Sequence, residues 1–476
     1  MNYPGYAHHY PARVLNCRWQ GHEALVECLD NTGAPLRFSL GFFAPGRLRV
    51  RLWTDTFTPP AFPVVDETAL RPLALYPVED PDAFRMGFGG HRLELYKDPF
   101  DLRVLNGAGQ VVCRQSLRDV DSVAEGQNRV PPLGYSCGEN GTPAGMNIGM
   151  VLRGDEHIYG LGERFTAFDK AGQRVTMRNF DTLGCRGSSS YINIPFYISS
   201  YGYGLFVHSH EIFDFNIGAE SLATVSLHTP PPALEYYLIF GDSPKAILSD
   251  YVALTGPAAR PPDWSFGLWH SNGFKGSSRA DVEADAARYE KEDIPLSVMH
   301  FDCYWMRDDH WCDFVWDSAL YPDHRRMLAD LKARGLKVCL WINPYLTVVT
   351  ELYTEGREKG YFVKNAAGEP YQADLWHGLL PMCVMVDFTN PEAAAWYAEK
   401  VAAALGDGAD TLKTDFGEDI PEDAVFANGM TGRQMRNVYS RLYNKVVYEA
   451  IARQSGTENA MVWARSGCAG MQQFPV

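Results

Sequence analysis

The sequence predicts a multidomain α+β protein in which an antiparallel β-sandwich precedes a parallel α/β domain. The length of 476 residues exceeds what a single core usually organises. Apolar residues alternate with period two as far as residue 240, whereas strand and helix patterns alternate after residue 264. We place the sandwich at 1–245, a linker at 246–263 and the α/β domain at 264–476, because prolines at 257–262 cannot continue a central strand.

The first domain shows the patterns of short antiparallel strands. In RLRVRLW (47–53), leucines and a valine alternate with three arginines, which predicts a half-buried strand. In LRVLNGAGQVVCRQ (102–115), a turn at 106–109 separates two apolar runs and predicts a hairpin. Similar short strands recur up to residue 240, so two packed antiparallel sheets are the expected architecture.

The second domain shows strands that alternate with helices. A capping box at Ser278 and Asp281 predicts one helix start, Gly335 predicts a helix end, and Pro391 predicts a first turn. A further helix is expected to bury one face, made of Met435, Val438, Leu442, Val446 and Ala450. The main strands are predicted at 266–272, 296–305, 337–343, 411–416 and 460–466. This order indicates a parallel sheet, either doubly wound or closed as a (β/α)₈ barrel.

Polar residues stand at the ends of all five main strands, namely Asn272, Asp302, Asn343, Asp415 and Arg465. A single Asp or Asn in such a place is usually a turn former or a helix cap. Barrel enzymes, however, carry their chemistry at the carboxyl ends of the strands. Five polar strand ends therefore favour the barrel and predict a site at that rim.

The segment KTDFGE (413–418) contains two carboxylates, a lysine and a glycine at the end of one strand. The charge of Lys413 favours the ionised form of a neighbouring carboxylate, and Gly417 permits a turn that exposes Asp415. An ionised, fixed aspartate can act as a nucleophile. The alternative is that Asp415 or Glu418 caps a following helix. A kinase is rejected, because the DFG triplet has no glycine-rich loop with a VAIK-like strand and no HRD segment before it.

The composition excludes several classes of partner. A net charge of −15 argues against nucleic acid and anionic membranes, and no apolar run is long enough to span a bilayer. The ten cysteines lack the spacing of metal sites or of a disulfide framework, and no histidine pattern suggests a metal. We expect no cofactor, a cytoplasmic location, since no signal peptide is apparent, and a neutral or small polar substrate.

Seven segments in order resemble glycoside hydrolase family 31 over essentially the whole chain. They are YGLGERF (159–165), MRNFD (177–181), FDCYWM (301–306), LWINPY (340–345), DFTNPEA (387–393), KTDFGE (413–418) and WARSGCAG (463–470). KTDFGE and the cysteine of FDCYWM are most similar to the bacterial α-xylosidases of that family. The resemblance implies a galactose-mutarotase-like β-sandwich, a (β/α)₈ barrel, a retaining mechanism at α-linked sugars and a homo-oligomer.

The resemblance also implies roles for single residues. Asp415 matches the nucleophile and Glu418 a supporting carboxylate. Further residues match the sugar-binding subsite, namely Asp302, Arg465, Lys413, Trp341, Phe274 and Asp181. Cys303 and Trp311 resemble the α-xylosidase residues that crowd the space of a glucose hydroxymethyl group. Tyr304 departs from the phenylalanine of close relatives, so the outer-subsite preference does not carry over.

The resemblance implies an α-xylosidase acting on the non-reducing-end xylose of xyloglucan-type oligosaccharides. The same family fold serves other sugars, so an α-glucosidase or α-transglycosylase is the alternative. The aspartate that donates a proton in the family follows the sixth barrel strand, and only five main strands are present here. We therefore expect the donor in a further part of the same polypeptide or in a second chain. The alternative of another class is a catalytically silent sugar-binding module.

Overall fold

The structure is a computed structural model that describes residues 6–20, 23–119, 129–182, 187–275, 277–376 and 378–474. It divides into two compact units. The first comprises Met1–Arg178 and Thr182–Gly256, and the second comprises Asn179–Asp181 and Pro257–Val476. The division at 256/257 falls inside the stretch 246–263 that the sequence assigned to a linker.

The first unit consists almost entirely of strands. They are β1 Ala7–His9, β2 Pro11–Gln20, β3 Glu23–Asp30, β4 Pro35–Phe43, β5 Arg47–Trp53, β6 Val78–Glu79, β7 Ala83–Phe88, β8 His91–Tyr96, β9 Asp101–Leu105, β10 Val111–Ser116, β11 Arg118–Asp119, β12 Arg129–Val130, β13 Leu133–Cys137, β14 Pro143–Val151, β15 Ile158–Gly160, β16 Gln173–Met177, β17 Ile192–Asn193, β18 Phe196–Ser199, β19 Tyr203–Val207, β20 Phe213–Ile217, β21 Thr224–Thr229 and β22 Ala233–Phe240. A short 3₁₀ helix spans Glu67–Ala69, and helix α1 spans Pro244–Thr255.

The strands of this unit pair antiparallel in the predicted manner. One sheet runs β15-β18-β19-β22-β5-β4-β3-β2, a second runs β1-β13-β14-β21-β20-β16, and a third runs β10-β9-β8-β7-β6. Apolar side chains from all three sheets form one buried cluster. The predicted hairpin is confirmed, since β9 and β10 pair antiparallel around the turn at Asn106. Helix α1 buries Ile247, Tyr251 and Leu254, so residues 246–255 are helical where the sequence suggested a linker.

The row of arginines on β5 corrects one expectation. Leu48, Val50 and Leu52 are fully buried as predicted, but Arg47 and Arg49 on the opposite face are also buried. Their burial is possible because carboxylates accompany them. Arg47 forms an ion pair with Asp250. Arg49, like the half-buried Arg51, forms ion pairs with Glu23 and Glu67. Buried charges are tolerated where they are paired in this way. The strand is therefore covered on both faces.

The second unit contains strands, α-helices and short 3₁₀ helices. The strands are β23 Leu268–Ser271, β24 Leu296–Phe301, β25 Lys337–Ile342, β26 Tyr345–Thr347, β27 Cys383–Met385, β28 Thr411–Thr414, β29 Val462–Ala464 and β30 Gly467–Cys468. The α-helices are α2 Arg279–Lys291, α3 His324–Ala333, α4 Glu351–Lys359, α5 Pro391–Asp407, α6 Gly432–Met435 and α7 Tyr439–Ser455. The 3₁₀ helices span Asp263–Phe266, Cys303–Trp305 and Met471–Gln473.

The main sheet of the second unit is parallel and runs β23-β24-β25-β28-β29. A doubly wound sheet reverses its strand order at a switch point, whereas this order follows the chain without reversal. The rings of Trp269 on β23 and Trp463 on β29, the two outer strands, lie only 5.2 Å apart. The sheet is therefore strongly curled. These features are those of the first five strands of a barrel.

The helix ends of this unit follow the predicted signals. The capping box of Ser278 and Asp281 is present, Gly335 lies just beyond α3 with φ +86°, and Pro391 begins α5. The predicted buried face of the last helix is correct in part: Met435, Val438 and Ala450 are buried, whereas Leu442 and Val446 are only half-buried. The buried side chains of helix α7 are Tyr439, Ser440, Tyr443, Asn444, Val447, Ala450 and Ile451. Two of these polar side chains have backbone partners: the Tyr439 hydroxyl donates to the Val386 carbonyl, and the Asn444 amide donates to the Ser466 carbonyl.

The nine cysteines within the described residues are buried free thiols, and Cys185 lies outside those residues. Burial raises the pKa of thiols such as Cys17, to about 12. Among the helices of the described part of the chain, none combines the length and the apolar character that crossing a bilayer requires.

Candidate active site

Three of the five polar strand ends are brought together by the parallel sheet. Asp302 follows β24, Asp415 follows β28 and Arg465 follows β29, and Lys413 on β28 lies between the two aspartates. Asn343 after β25 instead accepts hydrogen bonds from the Tyr345 N–H and the Cys312 thiol, so it has a structural role. The charged strand-end residues are thus close together at one rim of the sheet, and their role as a site stays a prediction. The fifth strand end, Asn272, donates instead to an aspartate of helix α2.

The Asp415 carboxylate is held by donors on both oxygens. The Trp341 indole donates to Oδ2 at 2.7 Å, and the Arg465 guanidinium Nε lies 3.2 Å from Oδ1. The Lys413 ammonium lies 3.7 Å from Oδ2. The indole and the two cations fix the orientation of the carboxylate. The alternative that Asp415 caps a helix is wrong, since the next helix along the chain begins at Gly432.

The backbone after Asp415 adopts an uncommon turn. Phe416 has φ +61° and Gly417 has φ +105°, and positive φ is rare for a residue such as phenylalanine. Three hydrogen bonds hold this conformation: the Tyr345 hydroxyl accepts from the Gly417 and Asp419 N–H groups, and the Ser466 hydroxyl donates to the Phe416 carbonyl. Such strain persists where surrounding contacts enforce it, and it clusters at functional sites. The predicted turn at Gly417 is confirmed.

Asp302 accepts three hydrogen bonds. Its Oδ2 lies 3.1 Å from His300 Nε2 and 3.2 Å from Lys413 Nζ, and its Oδ1 accepts from the Cys303 N–H at 2.9 Å. Burial alone would raise the pKa of this carboxyl, but the donors and the charge of Lys413 outweigh burial and hold the pKa well below its usual range. Asp302 is therefore an anion across the neutral range.

Glu418 and Asp181 both contact Arg465. The guanidinium donates to both Glu418 oxygens, at 2.9 and 2.7 Å, and lies 3.6 Å from Asp181. Glu418 is completely buried. Burial raises the pKa of its carboxyl to about 7, and the charge of Arg465 opposes that rise. Arg465 therefore links three carboxylates, including Asp415.

We expect Arg465→Met to lower stability in a pH-dependent way. Without the guanidinium, the folded-state pKa of Glu418 rises further above its unfolded value, so stability falls as pH increases above the ordinary glutamate range. Breaking a buried ion pair is expected to destabilise by about 3 to 5 kcal/mol at pH 8, and by much less near pH 5.5. Thermal unfolding at both pH values measures this difference.

The matched control is the double variant Arg465→Met with Glu418→Gln, which removes the stranded charge as well as the cation. Its stability should vary much less with pH than that of the single variant. If the stability of the two variants depended equally on pH, the Glu418 carboxyl would not be the source of the pH dependence.

Aromatic rings form a wall beside Asp415. Trp311 packs edge-to-face on Trp341 and Trp376, with ring centroids 5.5 and 5.0 Å apart, and Trp376 packs on Phe416 at 4.5 Å. Tyr304 adds an edge contact to Trp311 at 5.7 Å. Trp376 and Phe416 were missed by the sequence reasoning. Phe416 stands next to Asp415 in KTDFGE, whereas no local pattern around Trp376 distinguishes it from other loop residues.

Two further predicted residues differ in their burial. Cys303 is fully buried, and its N–H contacts Asp302. Phe274 lies in the loop after β23 with 67% of its surface exposed, so its role as a wall of the site stays a prediction. The arrangement combines a fixed carboxylate, a second carboxylate and an apolar wall. Such a combination suits a neutral polyhydroxylated ligand. No group of three or more metal-ligating side chains occurs within the described ranges.

Comparison with known families agrees with this geometry. Residues 258–476 match the glycosyl hydrolases family 31 TIM-barrel domain, and residues 37–215 match the glycosyl hydrolase 31 N-terminal galactose mutarotase-like domain. The chain belongs to glycoside hydrolase family 31. The predicted fold class, a β-sandwich followed by a barrel of which this chain holds five main strands, is confirmed.

Relatives within family 31 include two curated α-xylosidases. Alpha-xylosidase XylQ of Lactiplantibacillus pentosus is 43% identical in an alignment that covers 66% of this chain and 41% of that protein. The alpha-xylosidase of Emericella nidulans is 42% identical in an alignment that covers 67% of this chain and 41% of that protein. The structure of the Flavobacterium johnsoniae GH31 dextranase shares the fold, with a TM-score of 0.85 at 24% identity over 98% of this chain and 56% of that one. The chain spans about two fifths of the length of these curated relatives.

Proposed function

We propose that the protein is a retaining α-glycoside hydrolase, and specifically an α-xylosidase that releases non-reducing-end xylose from xyloglucan-type oligosaccharides. The observation that carries the proposal is the Asp415 carboxylate, which is fixed by Trp341 and Arg465 beside a second anion, Asp302. The identity of more than 40% to two proteins named α-xylosidases supports the sugar. Asp302, Lys413 and Arg465 would hold the hydroxyl groups of the sugar that is cleaved.

In this mechanism Asp415 attacks the anomeric carbon as the bond to the leaving oxygen breaks. A covalent glycosyl ester forms on Asp415, and a proton donor protonates the leaving oxygen. Water then attacks the anomeric carbon of the ester, the deprotonated donor takes the proton of the water, and Asp415 leaves as a carboxylate. Each step inverts the anomeric carbon, so the overall configuration is retained. Trp341, Arg465 and Lys413 contact Asp415 and would keep its carboxylate oriented before the attack. Asp302 would strengthen its hold on the hydroxyl groups as positive charge develops on the ring.

We propose that the proton donor lies outside these 476 residues, in the same polypeptide or in a second chain. Three nearby carboxylates could replace it, but each is engaged. Glu418 and Asp181 contact Arg465, while the Asp387 carboxylate accepts from the Thr389 N–H and the Ala427 N–H. A carboxylate with these partners is poorly placed to carry a proton to a leaving oxygen.

The xylose preference is proposed to depend on Cys303 and Trp311. Both side chains are at least 95% buried, and Trp311 is fixed by edge contacts with Tyr304, Trp341 and Trp376. A rigid wall there would exclude the hydroxymethyl group that glucose carries and xylose lacks. One such group changes transition-state binding by an amount that corresponds to about 10- to 200-fold in kcat/KM.

We expect the complete enzyme to hydrolyse p-nitrophenyl α-xyloside at least about 10-fold more efficiently than p-nitrophenyl α-glucoside, measured as kcat/KM. Proton NMR should show α-xylose as the first product, as a retaining mechanism requires. A tenfold preference for the glucoside would instead assign an α-glucosidase, and transfer to an added sugar acceptor would assign an α-transglycosylase. Saturable oligosaccharide binding without turnover would identify a silent sugar-binding module.

The proposal also includes the location, the assembly and the partners of the enzyme. A cytoplasmic location and a homo-oligomeric state would suit a protein that acts on imported oligosaccharides. The strongly negative net charge, −15, supports the absence of nucleic acid or membrane partners.

A further inference from the structure

A layer of inward-facing side chains lies beneath the polar strand ends. His300, Trp341, Lys413 and Trp463 each stand two residues before a strand-end residue, and period-two alternation places them on the same face of the sheet as those residues. Trp341 and Lys413 contact Asp415 directly. His300 does not figure in the mechanism above, although it is a buried titratable group in contact with Asp302.

His300 and Lys413 contact the same oxygen of Asp302, and Lys413 also contacts Asp415. Its Nε2 lies 3.1 Å from Asp302 Oδ2, and the Lys413 ammonium lies 3.2 Å from the same oxygen. Lys413 also lies 3.7 Å from Asp415 Oδ2, so its single charge is shared between the two carboxylates. The position of Asp302 therefore decides how much of this charge Asp415 receives.

His300 is fixed both chemically and by packing. Burial lowers the pKa of the imidazole, although the neighbouring Asp302 opposes that effect, so the ring is neutral at neutral pH. A carboxylate can only accept, which assigns the proton to Nε2. The indole of Trp463 packs on the ring edge-to-face with centroids 5.1 Å apart, and the Lys413 ammonium lies 5.3 Å from the centre of the same indole.

We propose that His300 is a positioning residue, which holds Asp302 by an Nε2–H hydrogen bond so that Asp302 can bind sugar hydroxyl groups while sharing Lys413 with Asp415. The inference deepens the proposed function and rests on the sugar-binding role given there to Asp302. His300 itself touches neither the sugar nor the reacting atoms. Its contribution passes through Asp302 alone, so removing Asp302 should remove the effect of changing His300.

The test compares two substitutions of similar size and shape, His300→Gln and His300→Met. The Gln amide can donate a hydrogen bond towards Asp302, whereas the Met thioether cannot. We expect His300→Met to lower kcat/KM on p-nitrophenyl α-xyloside by about 10- to 100-fold and His300→Gln by less than about 5-fold, because a hydrogen bond to a charged partner is lost only in the first variant. Part of the loss should appear in kcat, since Asp415 loses its share of Lys413.

The second arm repeats both substitutions in an Asp302→Ala background. There the difference between Gln and Met should shrink below about 2-fold, because the acceptor is gone in both variants. A difference that persists would show that His300 acts elsewhere and would overturn the inference, as would equal kcat/KM of the two variants in the parent background. Circular dichroism of all variants checks that they are folded.

Failure of the proposed function gives a different result. If Asp302→Ala leaves kcat/KM unchanged, the role of Asp302 in sugar binding is wrong whatever His300 does. If the parent enzyme shows no turnover, the same comparison is made on the dissociation constant for xylose by calorimetry. A gap between His300→Met and His300→Gln in that constant would support the inference, and equal constants would overturn it.

Discussion

Asp415→Ala is expected to abolish turnover while leaving the fold intact. Asp415 forms the covalent bond in the proposed mechanism, and its neighbours Trp341, Arg465 and Lys413 donate hydrogen bonds or carry positive charge, so none can replace it as a nucleophile. The loss should be on the order of 10⁶ in kcat, as for other enzymes that lose a covalent nucleophile. The measurement is hydrolysis of p-nitrophenyl α-xyloside by the complete enzyme.

Added azide should restore part of the lost activity in this experiment. In the Asp415→Ala variant the small anion can occupy the vacated space and attack the anomeric carbon, which should give a glycosyl azide of inverted configuration. Asp330→Ala is a matched control, since this half-exposed carboxylate on helix α3 lies outside the site and should retain parental activity. Activity of Asp415→Ala within about tenfold of the parent would contradict the assignment of the nucleophile.

The segment of 476 residues, expressed alone, is expected to show no turnover and poor solubility. Among the described residues, β23 and β29 each pair with one neighbour in the main sheet, so two strand edges are open. Phe266, Leu268 and Trp463 beside these edges are between 39% and 74% exposed. Open edges with exposed apolar side chains promote aggregation. A further part of the barrel would cover them and supply the proton donor.

The completed protein should differ from the segment in its pH profile. A nucleophile and a proton donor together give a bell-shaped dependence of kcat/KM with two limbs, one for each carboxyl. Replacing the donor should remove the limb at higher pH, and the activity should then depend on the acidity of the leaving group. A soluble, active preparation with an intact mass of 53.3 kDa would contradict the proposal and require a donor such as Glu418, Asp387 or Asp181.

Much of the fold could be predicted because its signals are local. The hairpin around Asn106, the capping box at Ser278 and the helix end at Gly335 each depend on a few adjacent residues, and all are confirmed. The buried face of helix α7 was predicted only in part, for a non-local reason. Tyr443 and Asn444 look polar in sequence, yet both are buried. The Tyr443 ring packs on Phe388, and the Asn444 amide donates to the Ser466 carbonyl. Such partners are visible only once the chain is folded.

The candidate site residues could be predicted where they stand at the carboxyl ends of strands. Asp302, Asp415 and Arg465 were identified by type and position, and parallel pairing brings them together. The sequence could not show that Lys413 is shared between two carboxylates, because that depends on the spacing of neighbouring strands. Nor could it find Trp376, whose contact with Phe416 joins residues 40 positions apart in the sequence.

The charged residues and the aromatic wall of the candidate site lie on different parts of the fold, and this affects which of them can be substituted. Asp302, Lys413, Asp415 and Arg465 lie in or directly after strands of the central sheet, whereas Trp311 and Trp376 are carried by connecting segments. Loops tolerate substitution and insertion better than the sheet that supports them. Substitutions at Trp311 and Trp376 are therefore expected to reshape the proposed sugar site while the charged groups stay in place. Laboratory evolution of a new sugar preference would best begin with libraries at these two tryptophans.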